Sequence, residues 1–270
     1  MFEGFNLSLN SSFSDNYYEE GEKILNSHKS KVKASLDKYI NKADQSIDGS
    51  LIQDDWFPQV DVDIFLSHSH TDEKLALSLA GWLSIEFNLK VFVDSCVWGY
   101  ADVLLREIDN NFCKIKDSSS YSYEERNKST AHVHMMLSTA ITQLMDKTEC
   151  IVFLNTSNSI TTDEAMKKTK SPWIFYELMM MKLIRKKTIK EHRHHVLLEY
   201  AELKKSAEAS MKINYRISLD HLIPLSDKDL FSWKKTYSQN ELYYPYPMSN
   251  GIKRIPFALD SLYELKVPKR

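Results

Sequence analysis

Apolar positions are unevenly spread along this chain, and the unevenness divides it. Residues 1–55 are mostly polar. One weak stripe (Ile24, Leu25, Val32, Leu36, Ile40) predicts a helix over Tyr17–Ala43, and Ser46–Asp55 reads as a connector. At Val62 the character changes. DVDIFLSHSH contains a short buried strand, Val62–Leu66. Thr71 is suited to cap a helix that carries Asp72 and Glu73 in its first turn. Leu75, Leu79, Trp82, Leu83 and Phe87 then recur at helical spacing, and Lys90–Asp94 (KVFVD) predicts a second strand. Strand, helix and strand in so short a span form the unit of a parallel sheet.

The pattern continues in alternation. Asp94–Asp102 (DSCVWGYAD) reads as a loop, followed by a helix through Phe112 and a polar insert at 116–130. Ala131–Lys147 is helical again, and Glu149–Asn155 (ECIVFLN) has the unbroken apolar run of a central strand. After a polar loop, Thr156–Lys170, Ser171 as cap and Pro172 at the first helical position open a helix from Trp173 to about Lys187. Beyond it the signal weakens. His195–Tyr200 and Ile213–Leu219 read as strands, Asp227–Tyr237 and Ala258–Lys266 as short helices. The expected fold class is α/β, a doubly wound parallel sheet. The expected organisation is a helical extension at 1–55, a main domain at 56–225 and a C-terminal extension at 226–270.

Composition narrows the function classes. With 43% hydrophobic and 11% aromatic residues, the 270-residue chain has ample material for a core, which excludes disorder throughout. Its 35 basic and 37 acidic side chains leave a net charge of −2, without the dominant basic surface of a nucleic-acid binder. The densest basic run, Arg185–Arg193, reads as a solvated helix end. The longest near-apolar run, Trp173–Met181, is half the roughly 20 residues of a bilayer helix, and the N-terminus lacks the pattern of a signal peptide. A cytoplasmic protein without membrane partners is expected, with Cys96, Cys113 and Cys150 as free thiols. None of the six glycines belongs to a GxGxxG or GxxxxGK phosphate cradle. His192, His194 and His195 lack a zinc-site spacing, and no GxSxG elbow occurs, so neither a metal nor a hydrolytic triad is expected.

The most informative residue is Glu177, in WIFYELMMM, where every other residue is apolar or aromatic. A lone carboxylate in such a helix is costly unless it is paired or faces a cleft, and an ionisable group in apolar surroundings is a candidate functional residue. Trp173, four residues earlier, shares its helical face. An aromatic ring beside a carboxylate suits a cationic heteroaromatic group. The pattern alone also fits a polar helix edge, with Glu177 paired to Lys or Arg and Trp173 in the core. Ser67 and His68, at the C-terminal end of the first predicted strand, lie where open α/β sheets bind ligands. The segment also fits a simple turn shaped by Ser69 and Thr71.

In this order the pieces resemble a Toll/interleukin-1 receptor (TIR) domain over about residues 61–190. DIFLSHSHTDE is similar to the family's opening strand and turn. VFVDSCVWGYAD is similar to its second strand and BB loop, with Gly99 as the loop glycine. CIVFLN followed by SPWIFYEL resembles its third strand and the helix bearing an S-x-W-x-x-x-E-L pattern. The resemblance implies a flavodoxin-like fold. It also implies cleavage of NAD, as substrate rather than cofactor, at the nicotinamide–ribose bond, with Glu177 catalytic. Phe65, Leu66, Ser67, His68, Ser171 and Trp173 would contact the substrate, and Asp94 and Trp98 would border the site. A stand-alone TIR protein is similar to the signal generators of bacterial anti-phage systems such as Thoeris, in which an ADP-ribose-derived product activates a separate effector protein. Self-association through TIR surfaces is implied as well. Two other readings stay open: a non-catalytic scaffold assembling through Asp94–Asp102, and an enzyme resembling nucleoside deoxyribosyltransferases. The insert at 116–130 and the terminal regions exceed the usual TIR domain.

Overall fold

A computed structural model describes residues 1–9, 13–29, 36–39, 48–116, 118–163, 166–194, 215–216, 218–243 and 257–267. The chain opens on strand β1 (Glu3–Ser8), then helix α1 (Asp15–Lys29) and helix α2 (Gly49–Trp56). Next come β2 (Ile64–Ser67), α3 (Glu73–Phe87), β3 (Val91–Val93) and α4 (Ser95–Ile108). A π-helical turn, Asp109–Cys113, leads to α5 (Tyr123–Lys147) and β4 (Cys150–Leu154). The short strands β5 (Thr161–Asp163) and β6 (Met166–Thr169) precede α6 (Pro172–Leu183) and α7 (Ile189–His194). Then follow β7 (Tyr215–Arg216), β8 (Ile223–Ser226), α8 (Asp227–Tyr243) and α9 (Ala258–Lys266).

Five strands form one sheet in the order β3-β2-β4-β1-β8, and every pairing in it is parallel. The fold class is therefore α/β, as the alternating pattern predicts. The register aligns Phe65 with both Phe92 and Ile151, and Phe5 with both Val152 and Ile223. The side chains of β2, β3 and β4 are buried throughout, as a parallel sheet with covered faces requires. α1 packs on α3, α3 on α8 and α8 on α9, while α5 packs on α2, α4 and α6. Buried apolar side chains from Met1 to Tyr263 make one core. Trp233 of α8 stacks on Phe87 of α3 with ring centroids 4.0 Å apart, and its indole N–H donates to the Ala258 carbonyl of α9.

α1 and α3 approach each other closely. A Cβ on Gly81 would stand 1.8 Å from the Tyr17 carbonyl oxygen, and one on Gly21 would stand 2.0 Å from that of Leu77. Only hydrogen fits in either gap, so the two backbones touch directly.

Several expectations are corrected. The segment 1–55 is not purely helical: EGFNLS is an interior strand of the sheet, whose mixed polarity (Glu3, Asn6 and Ser8 among Phe5 and Leu7) hides it. Ser46–Asp55 is not a connector, because Asp48 caps α2 by accepting from the Ser50 and Leu51 amides at 3.0 Å. Asp94–Asp102 is not a loop. α4 runs through Gly99 because Ala101, Leu104 and Ile108 form a buried stripe that outweighs the glycine. The insert at 116–130 is half helix, since Ser122 caps α5 and Glu124 and Glu125 occupy its first turn. The loop Thr156–Lys170 contains the β5–β6 hairpin. Thr71 lies inside a 3₁₀ turn, His70–Asp72, rather than capping α3. The predicted strand His195–Tyr200 lies outside the described residues, and of Ile213–Leu219 the described strand is Tyr215–Arg216. Among the described residues no helix is long and apolar enough to cross a membrane.

Candidate functional site: a buried acid cluster at the sheet edge

The C-terminal ends of β2 and β3 bring three predicted site residues together. Ser67 ends β2, His68 follows it, and Asp94 follows β3. All three are buried. His68 Nδ1 is ion-paired with Asp94 Oδ1, and the His68 backbone N–H donates to Asp94 Oδ2 at 3.3 Å. The Asp94 amide in turn donates to the Leu66 carbonyl at 3.2 Å. Asp94 thus locks β3 to β2 where the strands end.

α6 supplies the fourth member. Its start is fixed as the sequence predicts: Pro172 stands at the first helical position, and Ser171 Oγ accepts from the Ile174 amide at 3.2 Å. Ser171→Ala is expected to cost about 0.5–2 kcal/mol, measurable by denaturant unfolding. From that start, helical spacing buries Ile174, Glu177, Leu178 and Met181. Glu177 therefore sits on the face that α6 turns inward and is 0% exposed. Ser67 Oγ donates to Glu177 Oε2 at 2.5 Å. The Asp94 charge acts on the Glu177 carboxyl. Among the described residues neither Lys nor Arg pairs with Glu177. Burial first, then the Asp94 charge, push the Glu177 carboxyl well above the usual glutamate range, and the Ser67 hydrogen bond only partly opposes them. Burial works to lower the His68 imidazole, but the Asp94 carboxylate outweighs it and holds it above the ordinary value of 6.5.

The other predicted residues are dispersed. Phe65 and Leu66 are wholly buried, with Phe65 stacked on Phe92 at 5.6 Å, so their side chains serve the core. Trp98 lies within α4, and its side chain is outside the described set. Trp173 is half-buried and meets His134 of α5 edge to face, with centroids 5.6 Å apart. An open cleft in which Trp173 and Glu177 stand side by side is not what the structure presents, because Glu177 has no solvent-accessible surface.

A second polar cluster at the same edge escaped the sequence reading. Thr156 Oγ1 and Asn158 Nδ2, just beyond β4, donate to the two oxygens of Asp72 at 2.5 and 2.7 Å. The signal available for it is position alone, directly after two parallel strands. A groove of about 280 Å³ lined by Asp102, Arg106, Asp109, Tyr121 and Arg126 lies apart from both clusters. Within it Asp109 is already satisfied by Arg126 at 2.8 Å and Ser129 at 2.5 Å. Among the described residues no group of three His, Cys, Asp or Glu side chains is arranged to hold a metal ion.

Fold and site together define an α/β protein with a parallel five-stranded sheet and an enclosed pair of carboxyls at its C-terminal edge. The chain matches no family model, no curated protein and no solved structure.

Proposed function

We propose that this chain is a TIR-type enzyme that cleaves the nicotinamide–ribose bond of NAD and converts the rest into an ADP-ribose-derived signal. Water as acceptor gives ADP-ribose, and the adenine of the same molecule gives a cyclic isomer. In this reading the product activates a separate effector in anti-phage defence, in the cytoplasm. The observation that carries the proposal is Glu177: one carboxyl without a basic partner among the described residues, fully buried and hydrogen-bonded to Ser67 where parallel strands end.

The chemistry suits a single acid. Glycosidases use two carboxyl groups because the leaving oxygen needs a proton. Nicotinamide leaves NAD as a neutral molecule, so no general acid is required, and positive charge develops on the ribose instead. A carboxylate about 4 Å away, at an effective dielectric near 20, favours that charge by roughly 4 kcal/mol, about a thousandfold in rate. Ser67 and the amides that begin the following turn are suited to phosphate or ribose oxygens. The strand order also supports a flavodoxin-like arrangement. Counted from β2, the order 2-1-3-4-5 corresponds to β3-β2-β4-β1-β8, with the N-terminal strand in fourth position. Because Glu177 is enclosed, turnover requires the elements over it to part, which fits an enzyme completed by self-association.

The same enclosure favours a second reading, a TIR scaffold in which Glu177 and Ser67 are structural. Incubating the purified chain with NAD, alone and under conditions that drive assembly, and identifying products by mass separates the two. Released nicotinamide with ADP-ribose or an isomer is the expected result. Self-association without turnover in any assembled state gives the scaffold. Base exchange between nucleosides with NAD intact gives a deoxyribosyltransferase-like enzyme.

A further inference from the structure

We propose that the groove between α4 and the start of α5 is a binding site for a small phosphate ester, with Arg126 and Arg106 holding the phosphate. The site is built from residues outside the Glu177 cluster and does not rest on the reading of that cluster. Its framework comes from the insert at 116–130, which has no counterpart in the TIR resemblance. Lys114 and Tyr121 pair in an antiparallel bridge, and the Ser122 amide donates to the Cys113 carbonyl at 2.7 Å. These bonds set Tyr121 beside the π-helical turn Asp109–Cys113, where its hydroxyl donates to Asn110 Oδ1 at 2.7 Å. Single π-helical turns are frequent at functional sites.

The central observation is Arg126. Its guanidinium carbon lies 5.4 Å from the centre of the Tyr121 ring. Its Nε donates to Asp109 Oδ2 at 2.8 Å, and the other oxygen of this buried carboxyl accepts from Ser129 Oγ at 2.5 Å. Ring contact and Nε bond together fix the plane of the guanidinium. Among the described residues no hydrogen bond uses its two terminal nitrogens, and the side chain stays half exposed. Such a pair of nitrogens forms the fork that grips two oxygens of a phosphate. The placement of Arg126 is also against the local rule. It stands in the first turn of α5, where the positive helix end favours acids such as Glu124 and Glu125 and disfavours a cation. Arg106 of α4 lines the same groove, and among the described residues no carboxylate pairs with it.

The rest of the lining narrows the ligand. Two arginines face two aspartates, so recognition rests on placed donors rather than on a surplus of charge. Asp109 has both oxygens engaged inside the protein, which leaves Asp102 as the carboxylate open to a ligand. Donors for a phosphate beside one acceptor suit a phosphate ester that carries hydroxyl groups. The groove, about 280 Å³, stands at the small end of ligand sites. It suits a three-carbon ester and is small for a dinucleotide.

The test is isothermal titration calorimetry of the full chain with inorganic phosphate, glycerol 3-phosphate and a phosphoserine peptide, at an ionic strength fixed with chloride. Both small probes are expected to bind saturably, glycerol 3-phosphate more tightly. Arg106→Gln, which removes a cation without a partner and leaves the Asp109 pair intact, should weaken both by about tenfold or more. Tyr121→Leu keeps every charge but frees the guanidinium, and should weaken both by about threefold. Absence of saturable binding by the small probes overturns the proposal, as does an affinity unchanged in Arg106→Gln. An affinity unchanged in Tyr121→Leu overturns the role of the fixed guanidinium. Tighter binding of the peptide than of glycerol 3-phosphate overturns the small ester as ligand and gives the site to a phosphorylated protein. None of these readings depends on nicotinamide release.

Discussion

Glu177→Gln is expected to cut nicotinamide release by about a thousandfold and, at pH 8, to make the protein more stable. Both effects have one cause. Glutamine keeps the shape, and its oxygen still accepts from Ser67. It has no negative charge to set against a cationic ribose, so the rate falls. It has no charge to desolvate either, so the fold gains about 1–3 kcal/mol where the wild-type carboxyl is ionised on unfolding. The pH dependence follows from linkage. The folded pKa of Glu177 is raised above its ordinary value of 4.5, so the native state holds this proton more tightly than the unfolded chain. Wild-type stability therefore falls as pH rises from 4.5 through the folded value, and the variant lacks this component. The gap between the two proteins should open with rising pH and close below the ordinary glutamate range. Urea unfolding of both proteins at several pH values checks this. A folded variant that still releases nicotinamide at the wild-type rate removes Glu177 from the chemistry. A stability gap independent of pH removes the buried acid as its source.

Gly81→Ala is expected to be strongly destabilising. Its Cβ would overlap the Tyr17 carbonyl at 1.8 Å and approach the Gly21 amide at 2.9 Å. These are backbone atoms of α1, so no side chain can turn aside, and relief requires moving α1 off α3. A loss above about 4 kcal/mol is expected, against a typical total of about 5–15 kcal/mol. Gly49→Ala is the control. Its Cβ meets only the mobile end of Met136, at 3.1 Å, in the first turn of α2, and stability should change by less than about 1 kcal/mol. Circular dichroism and thermal unfolding of the two variants side by side distinguish backbone contact from a general intolerance of added methyl groups.

What the sequence disclosed follows the strength of local patterns. Ile64–Ser67, Val91–Val93 and Cys150–Leu154 are unbroken apolar runs, and they form neighbouring strands. α9 occupies Ala258–Lys266 as its periodicity indicates. β1 is illegible because it mixes polar with apolar residues and because Glu3 pairs with Lys186, distant in the chain, which no window around residue 3 can reveal. In α4 the polar and glycine-containing start, Asp94–Asp102, has the local pattern of a loop, whereas burial of Leu104 and Ile108 decides the conformation. The start of α5 carried a signal, Ser122 with Glu125 three residues on, that the polar run around it obscured. At the site, Glu177 stood out as a lone acid among apolar residues. Its partner Asp94 lies at the end of another strand, so their meeting is a product of topology.

The position of β1 sets a timetable for biosynthesis. Its residues leave the ribosome before either neighbour, and both arrive much later: Glu3 pairs with Cys150, and Phe5 with Ile223. The middle of the sheet cannot zip until residues near 154 have emerged, so closure depends on contacts of long sequence separation, which form slowly. From then until residues near 226 emerge, the β1 edge that β8 will cover stays open to mispairing with other nascent polypeptides.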